Sequence, residues 1–294
     1  MSLSPASEDR PQRTALVTGA SRGIGRATVE ALVNSGWRVV AGVRNPETIE
    51  PSFSHPCVHV VALDVTDARS VRAAVSRAED IAGGALCCVV NNAGWALFGA
   101  IEDVDLDVAR QEFETNFFGA AAVLQAALPA MKGGAGGVVV SVSSLIGEIP
   151  LPLFGMYSAT KLSLRALSEA LALEVAPSGI RVILVEAGVV RTELAKSTLV
   201  SGSAGEPESR YADTCARLLG KVRQIREVAG LTAYEVAEPL VRAVNDPAAP
   251  FCLRLPDSQL AGLSTVFDGP VGEHHDQIRQ FFGFAGPPTT DRRT

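Results

Sequence analysis

The sequence has few of the features that mark membrane, secreted or strongly aromatic proteins. Aromatic residues are only 5 % of the 294 residues, so a buried core must consist mainly of Ala, Val and Leu. No run of about 18 apolar residues occurs, and a transmembrane helix is therefore not expected. The polar stretch Met1–Arg13 lacks the apolar segment of a signal peptide. These absences predict a cytoplasmic protein without a membrane partner.

Basic clusters and metal-ligand spacings are also missing. The net charge is −6 and no five consecutive residues are basic, so nucleic acid is not an expected partner. The five cysteines are scattered without a Cys-x-x-Cys pair, and His274 and His275 are adjacent. Neither pattern offers the spacing of metal ligands, so we expect reduced cysteines and no metal site.

Strand-like and helix-like segments alternate along most of the chain. The predicted strands are 15–17, 37–43, 58–63, 86–90, 138–142, 180–185 and 251–255. The predicted helices are 24–34, 68–81, 105–131, 157–177 and 233–244. This alternation predicts the α/β class, with a doubly wound parallel sheet (a Rossmann fold) in a single domain.

The flanking segments break this alternation. We expect residues 1–12 to be disordered, residues 13–255 to form the domain, and residues 256–294 to be an extension that packs partly on the core. Its candidate packing residues are Phe267, Phe281, Phe282 and Phe284, and its last eight residues are expected to be disordered. Residues 193–230 form a looser stretch after a predicted ligand site, which is typical of a substrate lid.

A glycine-rich turn follows the first predicted strand. Glycines stand at 19, 23 and 25, as Thr-Gly-x-x-x-Gly-x-Gly, and a helix follows. Glycine permits positive φ angles and close approach, and the N–H groups of a helix N-terminus suit a pyrophosphate. The candidate cofactor contacts are Gly19, Ser21, Arg22, Gly23, Ile24 and Gly25. The alternative is a turn that only joins strand to helix.

The end of the second strand bears on the choice of cofactor. An acidic residue at this point accepts from the ribose of NAD, whereas a cation suits the 2′-phosphate of NADP. The sequence has Arg44 there and no acid, and Arg22 could add a second guanidinium. This predicts NADP(H), with NAD(H) less favoured. The alternative is that both arginines are ordinary surface charges.

Polar and small residues follow the next two strands, where parallel sheets bind ligands. Asp64 could accept from an adenine amino group, although a plain turn or N-cap role is equally open. Asn91-Asn92-Ala93-Gly94 would let the chain lie close beneath a cofactor. The candidate contacts are Asp64, Val65, Asn92, Ala93 and Gly94.

Tyr157 and Lys161 are four residues apart on a predicted helix and would share one face. A cation within about 4–6 Å lowers the pKa of a phenol. A phenol tuned in this way can exchange a proton with an alkoxide. The alternative is that Tyr157 only caps a groove while Lys161 lies in solvent.

Two further polar residues accompany this pair. Asn116 lies inside a predicted apolar helix, where Asn is unfavourable because its side chain competes for backbone hydrogen bonds. A local distortion and a polar role are therefore predicted, although Asn116 could also be a tolerated half-exposed residue. Ser144 follows the fifth strand, thirteen residues before Tyr157.

Together these motifs resemble the short-chain dehydrogenase/reductase family, single-domain branch, over about residues 13–255. The resemblance implies that Tyr157 is the general acid/base and that Lys161 lowers its pKa and holds the nicotinamide ribose. It also implies that Ser144 hydrogen-bonds the substrate oxygen. Asn116 would hold a water that links Lys161 to solvent.

The resemblance also implies cofactor contacts at Gly188, Val190 and Thr192, with Thr192 at the carboxamide. The family usually has Pro-Gly after the sixth strand, and Ala187 here loosens that turn. The segments Gly147–Pro150 and Val185–Gly188 look most like the hydroxysteroid- and retinol-dehydrogenase-like branch or the ketoreductases of secondary metabolism. Either branch implies a bulky, largely apolar alcohol or ketone.

The expected function is an NADPH-dependent oxidoreductase that transfers a hydride between nicotinamide and a ketone or secondary alcohol. By resemblance we expect a homodimer or homotetramer, formed through helices 105–131 and 157–177. One alternative is a redox sensor or scaffold that binds the dinucleotide without turnover, although such relatives usually lose the Tyr or the Lys. A nucleotide-sugar epimerase or dehydratase would be expected to have another glycine spacing and a larger C-terminal domain.

Overall fold

Short apolar runs form all seven predicted β-strands, and two further strands of two residues each were not predicted. The computed structural model describes residues 13–49, 53, 55–84, 86–132, 136–192, 198–256 and 271–284. Its strands are β1 (Thr14–Thr18), β2 (Arg38–Val43), β3 (Val58–Ala62), β4 (Cys88–Asn91), β5 (Leu97–Phe98), β6 (Gly137–Ser144), β7 (Ile180–Ala187), β8 (Leu199–Val200) and β9 (Cys252–Leu255). Seven of them form one parallel sheet in the order β3-β2-β1-β4-β6-β7-β9, and β5 pairs with β8.

Helices cover both faces of the large sheet. They are α1 (Gly23–Asn34), α2 (Ala68–Ala82), α3 (Leu106–Phe113), α4 (Gly119–Lys132), α5 (Gly155–Val175), α6 (Ala212–Ala229), α7 (Ala233–Asn245) and α8 (Val271–Phe282). Side chains alternate along β1: Val17 packs with α1 and α7, whereas Leu16 packs with α2, α4 and α5. The predicted doubly wound parallel sheet is confirmed.

The strand order reverses direction between β1 and β4, because β1 pairs with β2 on one side and with β4 on the other. Such a switch point opens a crevice at the carboxyl ends of the strands. The ends of β1, β4, β6 and β7 bring Thr18, Asn91, Ser144 and Ala187 to this edge, and Ser144 is paired directly with Ala187. Most of the predicted site residues therefore share one edge of the sheet.

The predicted helix 105–131 is not continuous. A π-helical turn, Glu114–Phe118, separates α3 from α4 and has Asn116 at its centre. Such turns add one residue to a helix and are frequent at functional sites. Gly119 follows directly, and a Cβ there would lie 2.7 Å from Val65 Cγ2. The predicted distortion is confirmed, and the close approach of Val65 explains the glycine.

The looser stretch after β7 is partly regular. Strand β8 pairs with β5, and α6 fills most of residues 198–230. In the C-terminal extension, Phe282 of α8 is buried against a third apolar cluster that includes Leu218 of α6 and Leu153. The ring of Phe284 stacks on Phe282 at 5.3 Å. Phe267 and the chain ends 1–12 and 287–294 lie outside the described residues.

Candidate active site

The glycine loop after β1 is tightly packed. Gly19 and Gly23 have φ angles of +62° and +56°, which favour glycine. A Cβ at Gly25 would lie 2.4 Å from both Asn92 Nδ2 and Gly19 O. The N-cap residue of α1, Arg22, makes no side-chain capping hydrogen bond, so the N–H groups of the first turn suit an anion. The loop therefore fits the pyrophosphate of a dinucleotide.

Hydrogen bonds from β4 hold this loop in place. Asn92 Nδ2 donates to the carbonyls of Thr18 and Gly19 at 3.0 and 3.1 Å. Thr18 Oγ1 accepts the N–H groups of Asn92 and Ala93, both at 3.0 Å, and donates to Val90 O at 3.3 Å. The Asn92 side chain thus supports the glycine loop. The role of Thr18 was not predicted, although its place directly before the first glycine was a usable signal.

At the predicted binding place of the adenosine, the glycine loop lies beside the end of β2. The N–H of Ala20 donates to Gly42 O at 3.1 Å, and Arg44 follows β2 as an exposed residue. Arg22 is also exposed at the start of α1. Asp64 Oδ1 accepts from the N–H and hydroxyl of Thr66 at 2.9 and 2.8 Å, which is an Asx turn. Asp64 thus has a turn role, and its adenine contact stays a prediction.

Tyr157 and Lys161 lie together on α5. Lys161 Nζ is 5.8 Å from the centre of the Tyr157 ring, and the two residues are only 5 % and 6 % exposed respectively. The alternative of a solvent-exposed lysine is therefore wrong. Lys161 Nζ donates to Val142 O at 3.0 Å. A Cβ at Gly94 would lie 2.9 Å from Asn116 Oδ1, which is too close, and 3.6 Å from that nitrogen, which is an ordinary contact.

Burial dominates the ionisation of this pair. It raises the pKa of Tyr157, and a hydrogen bond with Ser144 opposes the rise only in part. It also lowers the pKa of Lys161 to about 8, although the charge of Glu112 acts in the opposite direction. The expected lowering of the Tyr157 pKa is therefore wrong for the protein by itself. Desolvation of the phenolate outweighs a neighbouring amine whose own charge is disfavoured by burial.

Ser144 and Asn116 are fixed by hydrogen bonds. Ser144 Oγ donates to Ala187 O at 3.2 Å and accepts from the N–H of Ile146 at 3.3 Å. Asn116 is 1 % exposed, so the half-exposed alternative is wrong. Its amide donates to Trp95 O and Thr160 Oγ1 at 2.8 and 3.1 Å, and its Oδ1 accepts from the N–H of Trp95 at 3.0 Å. Because the Asn116 side chain is already hydrogen-bonded to Trp95 and Thr160, the water predicted beside Lys161 would have to bind a main-chain group.

Two residues near this group were not predicted. Thr160 Oγ1 accepts from Asn116 and donates to Tyr157 O at 2.8 Å, which ties the π-helical turn to α5. Glu112 is fully buried, and its Oε1 accepts from the N–H of Leu97 at 2.7 Å. Its place four residues before Asn116, on the same face of a predicted helix, was a usable signal.

The segment after β7 is held without the family's proline. Arg191 N–H donates to Leu231 O at 2.6 Å, and Leu231 N–H donates to Val189 O at 3.0 Å. This pairing positions Val190 and fixes the turn that Ala187 was expected to loosen. Thr192 lies beside the glycine loop. A Cβ added at Gly23 would be 3.5 Å from Thr192 Cβ.

Two kinds of feature do not occur in the part of the chain that the structure describes. No group of three or more His, Cys, Asp or Glu side chains there could hold a metal ion. No described helix combines the length and apolar character required to cross a bilayer.

Comparisons with known proteins agree with this geometry. The model of the short chain dehydrogenase family matches residues 13–200. A 3-ketodihydrosphingosine reductase from Bacteroides thetaiotaomicron is 34 % identical over 238 residues, which are 80 % of this chain and 85 % of that protein. The crystal structure of a short-chain dehydrogenase from Streptomyces avermitilis has a TM-score of 0.79 and 31 % identity, covering 95 % of this chain and 100 % of that one. A Burkholderia cenocepacia short chain dehydrogenase in complex with NADP has a TM-score of 0.70 and 27 % identity, covering 91 % and 97 %. This chain therefore belongs to the short-chain dehydrogenase family of oxidoreductases.

Proposed function

We propose that the protein is an NADPH-dependent reductase of ketones on bulky, largely apolar molecules. One observation carries the proposal: the phenol of Tyr157 and the amine of Lys161 are buried side by side at the sheet edge that also has the glycine loop. A proton donor and an anion-binding loop at one edge are what hydride transfer from a dinucleotide to a carbonyl requires.

Each residue has a role in this reaction. The bound nicotinamide supplies the hydride that reaches the carbonyl carbon. The Ser144 hydroxyl would turn from Ala187 O to donate to the carbonyl oxygen, where negative charge develops, and Tyr157 donates a proton to that oxygen. Lys161 holds the nicotinamide ribose. Asn116 keeps the π-helical turn in place and supports the water that returns a proton to the site.

The ionisation of Tyr157 supports reduction over oxidation. Burial raises the pKa of this residue, so it stays protonated at neutral pH. A protonated phenol is the form that donates to a developing alkoxide, whereas alcohol oxidation requires the phenolate. The protein by itself therefore has Tyr157 in the protonation state that carbonyl reduction requires at neutral pH.

The cofactor preference rests on charge at the adenosine end. Arg22 and Arg44 are exposed cations around the end of β2, and the Burkholderia cenocepacia relative was crystallised with NADP. The proposed cofactor contacts are Gly19, Ser21, Arg22, Gly23, Ile24, Gly25, Arg44, Asp64, Val65, Asn92, Ala93, Gly94, Tyr157, Lys161, Gly188, Val190 and Thr192. Double replacement R22A/R44A is expected to weaken NADPH binding about tenfold or more and to leave NADH binding nearly unchanged.

Apolar side chains around Tyr157 support the proposed substrate class. The ring of Phe154 is 6.2 Å from that of Tyr157, and Phe98 is 5.1 Å from Phe154. Leu145 and Ile149 belong to the same apolar cluster. The relative named 3-ketodihydrosphingosine reductase is by its name a reductase of a ketone. We propose a ketone on a long-chain or fused-ring apolar molecule as the substrate.

A screen of ketones tests this function. NADPH absorbance is followed with long-chain, steroid and aromatic polyketide-like ketones, and Y157F is the control. Turnover that falls about 10²–10⁴-fold in Y157F supports the proposal, because general acid catalysis contributes that much. Equal turnover in Y157F would remove Tyr157 from the mechanism. NADPH binding without turnover of any ketone would favour the sensor or scaffold alternative.

The expected homodimer or homotetramer and the cytoplasmic location also stay predictions. Light scattering of the purified protein tests the assembly. A dimer or tetramer is expected, and a monomer at all concentrations would contradict the prediction.

A further inference from the structure

We propose that Glu112 is a positioning residue of this site, whose buried and incompletely hydrogen-bonded carboxyl group controls the charge of Lys161. The inference rests on the proposed function only in the role it gives to Lys161. The ionisation of Glu112 itself follows from the packing of α3.

The Glu112 side chain is fully buried and only partly hydrogen-bonded. It belongs to the last turn of α3, which packs against α5 and β5, and it is fully buried. Its Oε1 accepts one hydrogen bond, from the N–H of Leu97. Its Oε2 is buried and has no hydrogen-bond partner among the described residues. A carboxylate oxygen in such a place strongly disfavours the charged form.

Few ionisable groups face this carboxyl group. On α5, the ionisable groups that interact electrostatically with the Glu112 carboxyl group are those of Lys161 and Tyr157. The strand β5 has only Leu97 and Phe98 and adds no ionisable side chain, and Glu114 of the π-helical turn is exposed to solvent. No arginine within the described part of the chain is hydrogen-bonded to the carboxyl group to stabilise its charge. The Tyr157 phenol stays neutral near neutral pH because its pKa is raised, so Glu112 and Lys161 are the two groups of this neighbourhood that change charge there.

Burial determines how these two groups titrate. Burial raises the pKa of Glu112 from 4.5 to about 7, and burial lowers that of Lys161 to about 8. Below neutral pH, Glu112 is a neutral acid and Lys161 is charged by itself. Above neutral pH, the Glu112 carboxylate stabilises the Lys161 ammonium, which would otherwise begin to lose its proton. The carboxyl group thus extends the pH range over which Lys161 holds a charge.

The substitution E112Q tests this inference. Glutamine keeps the length and the acceptor for the Leu97 N–H but cannot ionise. The measurement is the ratio of kcat/KM for ketone reduction at about pH 8 to that at about pH 6. We expect this ratio to fall about fivefold relative to the unchanged protein, which corresponds to a decrease of about one unit in the Lys161 pKa from about 8. The control E114Q, in the neighbouring exposed turn, is expected to leave the ratio unchanged.

A second measurement does not depend on turnover. Glu112 binds its proton more tightly in the folded than in the unfolded chain, so its contribution to stability falls as pH rises from about 4.5 to about 7. The difference in Tm, E112Q minus unchanged protein, is therefore expected to increase between about pH 5 and pH 8. If no ketone is turned over, the proposed function fails, and the same pH ratio is then measured for NADPH dissociation constants.

Each result decides the inference. A Tm difference that does not vary with pH would show that Glu112 ionises normally and would overturn it. A pH-dependent Tm difference with an unchanged pH ratio, for kcat/KM or for NADPH binding, would show that the carboxyl group does not act on Lys161. That result would overturn it as well. A pH-dependent Tm difference together with a lower kcat/KM ratio, or a weakened NADPH affinity at about pH 8, supports it.

Discussion

The proposed cofactor half (β1, β4 and the glycine loop) and the proposed substrate half (α6 and α8) of this molecule are held together by different forces. In the cofactor half, Thr18, Asn92 and the glycine loop are joined by hydrogen bonds between backbone and short side chains. In the substrate half, Phe282 of α8 and Leu218 of α6 pack as apolar side chains far apart in sequence. Directional bonds fix positions to a fraction of an ångström, whereas apolar packing tolerates changes of shape when volume is kept.

This difference has a functional meaning. A cofactor with one fixed structure suits a rigid loop that admits no added atom. A bulky apolar substrate suits a surface whose apolar side chains can be substituted while the fold is kept. Four measurements test whether the two halves really respond in these different ways.

The largest effect is expected from Gly25→Ala in the cofactor half. The new Cβ would meet Gly19 O at 2.4 Å, and a backbone atom cannot move away cheaply. We expect a loss of about 3 kcal/mol in the free energy of unfolding and no measurable NADPH binding. The measurements are urea unfolding and NADPH fluorescence titration.

The matched control for this change lies in the substrate half. A Cβ at Gly220 of α6 meets no other atom within 4 Å. Gly220→Ala is therefore expected to stabilise the protein by about 0.5–1 kcal/mol, through helix propensity alone. Equal stability effects of the two alanines would contradict the comparison.

The next prediction concerns Tyr157, where the two halves meet. Phe154 packs beside this ring and helps to bury it, and burial raises the pKa of the phenol. Phe154→Ala should lower that pKa by about one unit, because water reaches the phenolate. At any pH below the Tyr157 pKa, the variant should then oxidise alcohols about tenfold faster than the unchanged protein. The measurement is the pH dependence of oxidation with NADP, and an unchanged profile would exclude Phe154 as a cause.

Phe282→Ala is expected to have a moderate effect that is confined to the substrate half. It removes a buried ring that packs with α6 and stacks on Phe284. We expect a loss of about 2 kcal/mol in the free energy of unfolding, below the usual cost for a central core, because α8 packs on α6 and not on the large sheet's two core clusters. Relative kcat/KM values for ketones of different size should change, while the NADPH dissociation constant stays within about twofold. A weaker NADPH affinity would show that the halves are coupled.

The smallest effect is expected from Thr18→Val in the cofactor half. Valine keeps the shape but removes the oxygen that accepts the N–H groups of Asn92 and Ala93. We expect a loss of about 1–2 kcal/mol in unfolding free energy and a weaker affinity for NADPH, because the glycine loop loses support. Unchanged NADPH binding would show that Asn92 alone holds the loop.

The same difference explains how far the sequence alone could be interpreted. The strand positions, the glycine loop and the face shared by Tyr157 and Lys161 depend on neighbours a few residues away, and local patterns predict them well. The pairing of β5 with β8 joins residues about a hundred positions apart through strands of two residues, which no periodicity can indicate. The burial of Glu112 depends on α3, α5 and β5 together.

The direction of the Tyr157 pKa shift could not be predicted for a related reason. Spacing along a helix gives the proximity of Lys161, but it does not give the extent to which the rest of the molecule excludes water. That exclusion depends on side chains such as Phe154 and Leu153, which precede α5 and pack with α6. The proximity of Lys161 to Tyr157 was predicted correctly, but burial raises the pKa of Tyr157 where proximity alone would lower it.

The pairing of Leu231 with the segment after β7 has a mechanical consequence. Leu231 follows directly on the end of α6, and it is hydrogen-bonded to Val189 and Arg191, next to Thr192 at the glycine loop. If α6 moves to admit the proposed substrate, we expect these hydrogen bonds to transmit the movement to Thr192. Binding of the proposed substrate and of the dinucleotide would then be coupled.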